Sequence, residues 1–327
     1  MTSRIRREVG LAIVIVVLGA VLVRSEWIPP FAERHVEVAA ESYELDLGEP
    51  NRWLSAWSIG DGQAFAVIAA DPTGMKLSRE IKEPVYRFSR AGYGWLAAIA
   101  SLGQERLIPF GMALVGALAL AGNLVLAIRL RYELGARAWI LIANPALYIG
   151  FAGDTAEPLA ILALTIALGA GAAWAALAVG VTRPSYLIAL VRQPRQLAVG
   201  AFAALALLTY SIIQFGTDQL IPGGGRIGLP FVAYVESPSF AGWALVGLAL
   251  LTVAMGIRER DWAWIVAGML VVCLGSDVTP NVENAWRAAG MLPVLWAFGP
   301  GHEPVRVIGR GHRPRNMPRD LTQPPHR

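Results

Sequence analysis

Of 327 residues, 55% are hydrophobic and only 16% are charged, and the formal net charge is +4. A soluble domain carries about 25% charged residues, so the composition excludes a soluble globular enzyme, and the bases form no stripe suited to nucleic acid. The single cysteine, Cys273, excludes an internal disulfide and any cysteine-built metal site.

Apolar runs recur along the chain, and they do not alternate as barrel strands do. A bilayer core of roughly 30 Å takes about 20 apolar residues as a helix, and lipid leaves no other partner for backbone groups. The expected fold is therefore all-α: a polytopic helical membrane protein of about ten transmembrane helices, with a large external first loop carrying short interfacial helices. The start "MTSRIRREVGLAIVIVVLGAVLV" has a basic end and an apolar core. No small-x-small cleavage site follows, so it is read as a retained first span, about 9–24, with its basic end inside. Residues 25–106 form the external loop. Within it "GYGWLAAIASLG" is too short to cross and is read as a re-entrant or interfacial helix.

The second span, about 107–128, returns the chain to the arginine-rich "RLRYELGAR". Further spans are placed at about 136–151, 156–169, 171–182, 185–192, 197–215, 240–256, 262–275 and 285–298. Under this one assignment every arginine-rich connection lies inside, as the positive-inside rule requires. Both termini are then cytoplasmic in an inner cell membrane. Residues 1–303 form one transmembrane domain, and 304–327 form a basic, disordered tail able to touch anionic lipid. The fourth to sixth spans are short, and short or broken helices in a bundle flank a cavity. "PGGGRIG" lacks the Lys-Ser/Thr ending of a phosphate loop and reads as an external loop.

The polar residues that collect on the outer face are Asp61, Asp71, Arg87, Arg90, Asp154, Glu157, Arg183, Asn281, Glu283 and Arg287. Arg87 and Arg90 are three apart and share a face if helical, a pairing suited to phosphate. Arg183, in "VTRPS", contacts a lipid phosphate or pairs with an acid. Each acid also has a structural reading. Asp61 opens "DGQAFAVIAA" as a helix N-cap, with Asp71-Pro72 as its stop. Asp154 and Glu157 fit a capping box, and Glu283–Arg287 fits an i,i+4 pair. Asp61 and Asp71 lie roughly 15 Å apart along one helix, so a shared divalent cation (Mg or Mn) requires the chain to fold back at Pro72.

The order "DGQAFAVIAADP", "EPVYRFSRAGYGW", "NPALYIGFAGDTAEPLAILAL", "VTRPSYLIAL" resembles the polytopic C-type (GT-C fold) glycosyltransferases and their bacterial relatives over about residues 10–195, with a weaker echo in "NVENAWRAAGMLPVLWA". The resemblance implies a polyprenyl-phosphate-linked sugar as donor, a lipid or glycan acceptor at the external face, and inverting transfer. It implies that Asp61, in the first external loop, acts as base or orients the acceptor. Asp71, Asp154 and Glu157 then correspond to further loop acids, and Arg87, Arg90 and Arg183 hold the donor phosphate. Relatives often carry an aromatic doublet where this chain has Ala64-Phe65, and Tyr-Pro where it has Tyr93-Gly94. These departures favour a second reading: a non-catalytic subunit or scaffold of a larger membrane complex, docking a protein partner through loop residues 25–60. A transporter or flippase is a third reading, weakened by the placement of nearly all the acids in loops.

Overall fold

The computed structural model describes residues 44–48, 61–76, 81, 83–217, 231–236, 238–274 and 282–300, with isolated positions in 7–14. The expected first span, most of loop 25–60, the "PGGGRIG" loop, Asn281 and the tail lie outside these residues. The described residues are helical, with no strand among them.

Ahead of the first long helix stand three short ones, α1 (Asp61–Ala70), α2 (Pro84–Phe88) and α3 (Gly92–Ala100). They build a small core of their own from Leu45, Phe65, Ile68, Phe88, Tyr93 and Met112. Phe65 and Tyr93 meet edge to face at 5.3 Å, and the Tyr93 hydroxyl donates to the Met112 carbonyl at 2.9 Å. Taken out of water, each such side chain contributes about 1.5–3 kcal/mol. Gly94 sets the α1–α3 spacing, because a methyl group there would lie 2.6 Å from the Ile68 side chain. At nine residues α3 is far too short to cross, as "GYGWLAAIASLG" suggested.

Among the described residues, three helices are long and apolar enough to span a bilayer. They are the run from Glu105 to Ile142, whose main part is α4 (Ile108–Leu134), together with α9 (Pro194–Phe215) and α11 (Phe240–Glu259). The outward faces of α9 and α11 carry Phe202, Ile213 and Phe240, which are 75%, 79% and 93% exposed. Large apolar side chains in such exposure mark a face made for lipid.

The other expected spans are shorter or broken. Residues 136–151 divide into a 3₁₀ turn, α5 (Trp139–Ile142) and α6 (Pro145–Ala152). The break falls at Asn144, whose side chain caps α6 by accepting from the Ala146 N–H at 3.1 Å, and Pro145 opens the new helix. Then come α7 (Glu157–Ala170) and α8 (Ala173–Thr182), of 14 and 10 residues. Residues 184–190 are a 3₁₀ stretch, at 2.0 Å per residue only about 14 Å long, so the expected 185–192 span does not cross by itself. The chain closes with α10 (Val232–Glu236), α12 (Trp262–Val272), α13 (Val282–Ala288) and α14 (Met291–Phe298).

These pieces pack into a second, larger core that includes Leu164, Ala176, Leu190, Trp264 and Leu292. Lipid tails are as apolar as leucine, so this packing relies on close approach and hydrogen bonds. Gly180 of α8 lies directly against the Gly200 carbonyl of α9. Buried Asn123 of α4 donates to the Pro158 carbonyl at 2.9 Å, tying α4 to α7. Trp296 donates to Thr252 at 2.9 Å, tying α14 to α11.

Candidate functional site

The two cores meet at a cluster of charge. Asp61, the first residue of α1, accepts from three guanidiniums. Arg87 of α2 donates to Oδ1. Arg90, in the turn before α3, donates to Oδ2 at 3.2 Å, and Arg287 of α13 donates to the same oxygen at 2.6 Å. Arg287 thereby links residues 226 positions apart. Its Nε faces a second acid, lying 3.2 Å from Glu157 Oε1, while Arg183 Nη1 lies 3.4 Å from that oxygen. Thr155 donates its hydroxyl to Glu157 Oε2. Glu157 is 0% exposed.

Secondary contacts fix the arginines. The Arg90 guanidinium sits 4.0 Å from the centroid of the Tyr86 ring, a cation–π contact that gains strength away from water. Burial lowers the Arg90 pKa to about 10, so it is charged at neutral pH. Arg287 also donates to Asn284 at 3.1 Å. The backbone after it is held by two long-range bonds: Tyr186 donates to the Arg287 carbonyl at 2.6 Å, and Asn144 to the Gly290 carbonyl at 2.7 Å.

Four guanidiniums gather on two carboxylates, Asp61 and Glu157. The buried Nε–H groups of Arg90, Arg183 and Arg287 have no hydrogen-bond partner among the described residues. For Arg287 and Glu157 the ion-pair distance is met while the hydrogen-bond angle is not. A buried, incompletely satisfied cluster of guanidiniums is the electrostatic setting of an anion site.

Of the residues expected at the site, Asp61, Arg87, Arg90, Glu157 and Arg183 converge here. Asp71 does not. It lies at the opposite end of α1 and orders the following turn, accepting from Thr73 Oγ1 at 3.2 Å and from the Lys76 N–H at 2.9 Å. Asp154 is buried in the left-handed conformation, φ 45°, in the α6–α7 turn. The capping box with Glu157 does not form: the cap of α7 is Ala156, without a side-chain bond, and Glu157 is the first helical residue, turned to the arginines. The Asp61 carboxylate likewise serves arginines. The described residues hold no group of three or more His, Cys, Asp or Glu able to seat a metal.

Arg287 is the member of the cluster that local spacing hid. The i,i+4 rule pairs it with Glu283, whose side chain lies outside the described residues; the fold turns Arg287 to Asp61 and Glu157. Its signal was an arginine inside the otherwise apolar "AWRAAGMLPVLWA". Comparison with family models, with curated proteins and with solved structures finds no match.

Proposed function

We propose that this protein is a polytopic membrane glycosyltransferase of the C type, with both termini cytoplasmic. It moves a sugar from a polyprenyl-phosphate donor to a lipid or glycan acceptor at the external face. The observation that carries this reading is the arginine cluster around Asp61 and Glu157. Arg87, Arg90, Arg183 and Arg287 bind the donor phosphate through charge-assisted bonds. Asp61 orients the acceptor hydroxyl and takes its proton as the oxygen attacks the anomeric carbon. The bond from that carbon to the phosphate oxygen breaks, and polyprenyl phosphate leaves with the electron pair. Past the far end of α1 runs an open, apolar groove of about 500 Å³, lined by Pro72, Trp95, Ile99, Leu207 and Tyr210 among others. It suits the prenyl chain.

An assay of sugar transfer from polyprenyl-phosphate donors in nanodiscs tests the reading. Asp61→Asn should abolish turnover, and Arg183→Ala should weaken donor binding. Full turnover in Asp61→Asn would remove Asp61 from the chemistry. One observation favours the alternative of a non-catalytic subunit: both Asp61 oxygens are already engaged by guanidiniums. A stoichiometric protein partner in native membranes, with no donor binding, would decide for that alternative.

A further inference from the structure

We propose that Asp61 is a resident stand-in for the substrate phosphate, so that the incoming anion must displace it from the arginines before it can act. The proposal rests on the reading of the cluster as a phosphate-binding site, and concerns how that site is regulated. A carboxylate and a phosphate oxygen accept the same forked donors of a guanidinium. Asp61 uses both its oxygens on three of the four arginines. A phosphate seated on Arg87, Arg90 and Arg287 therefore competes with Asp61 for the same N–H groups.

The two acids differ in their freedom to yield. Glu157 is fully enclosed and held by Thr155, Arg183 and Arg287. The Asp61 side chain keeps 18% of its surface open, more than any of the four arginines around it, so Asp61 lies on the open side of the cluster. With Asp61 turned aside, the field at the arginines is more positive by one charge, and the carboxylate has oxygens free to accept from a hydroxyl. Displacement thus couples donor binding to the release of the acceptor-orienting group. It also cuts the Arg287 tie between the α1–α3 core and α13.

The test is binding of inorganic phosphate and of polyprenyl phosphate to the full chain in nanodiscs, comparing wild type with Asp61→Asn. Removing the competitor should tighten phosphate binding at least about tenfold, the worth of one charge-assisted hydrogen bond. Equal or weaker binding overturns the proposal. Tightening for both probes assigns recognition to the phosphate itself, and tightening for the lipid alone makes the prenyl chain part of the seat. Should the Asn variant not fold, hydrogen exchange on the wild-type chain decides: added phosphate should speed exchange in the first turn of α1, and unchanged or slower exchange overturns the proposal. The outcomes separate from those of the transferase reading. Tightening in Asp61→Asn without any sugar transfer by wild type removes the transferase and keeps the displacement. Transfer by wild type without tightening does the reverse. No anion binding to either chain overturns both.

Discussion

Glu157 is the residue on which the cluster depends most for stability. It is wholly enclosed and is the counter-charge for both Arg183 and Arg287. Removing one partner of a buried pair leaves an uncompensated charge, at a cost of roughly 3–5 kcal/mol. Glu157→Ala is therefore expected to lower the thermal midpoint in detergent sharply, with Glu157→Gln intermediate because it keeps an acceptor for Thr155. The exposed pair Asp46–Arg106, at 2.7 Å, is the contrast: Asp46→Asn should leave the midpoint unchanged in the same measurement, since solvent screens such pairs. At this scale the sequence was informative where position carried the information. Asp61, Arg87 and Arg90 fall within thirty residues of one another, and their convergence could be read from one loop. Arg287 could not be placed, because spacing along a helix names neighbours on that helix and is silent about the element packed across from it.

Among the elements, the α8–α9 crossing is the most sensitive to a single methyl group. Gly180 abuts the Gly200 backbone, and Gly200 in turn faces the Ala176 carbonyl. Gly180→Ala forces the two helices apart and should cost about 1–3 kcal/mol. Gly247 of α11 has open space where a Cβ would go, so Gly247→Ala should be neutral or stabilising by up to about 1 kcal/mol through helix propensity. Unfolding the two variants in denaturing detergent checks the difference in sign. Hydropathy located the apolar segments but not their breaks. Residues 136–151 read as one span because the run stays apolar through the point where Asn144-Pro145 ends one helix and caps the next. The Asn-Pro pair is a local stop-and-start signal that an average over twenty residues cannot register.

For the whole molecule, the arginine-rich connections predict the orientation. In a Cys273→Ser background, a cysteine at Gln104 should react with an impermeant reagent from outside. Cysteines at Arg195 and Glu259 should react only after the membrane is opened. All three positions are exposed in the fold. Labelling of Glu259→Cys in sealed cells would reverse the topology and place the Asp61 cluster on the cytoplasmic face. The long helices α4, α9 and α11 expose large apolar side chains, while the short helices α7, α8 and α13 bring Glu157, Arg183 and Arg287 together with Asp61 of the α1–α3 unit.

By itself the sequence determined that this is a helical membrane protein, where its apolar segments lie, and that an acid and two arginines share its first loop. Those properties follow from composition and from neighbours along the chain. Only the tertiary structure decided that Asp71 stands apart, that the capping box does not form, and that Arg287 joins Asp61 to Glu157. The reason is physical: a buried charge takes the partner that the packing brings within about 3 Å, and that packing is set by contacts between segments far apart in the chain.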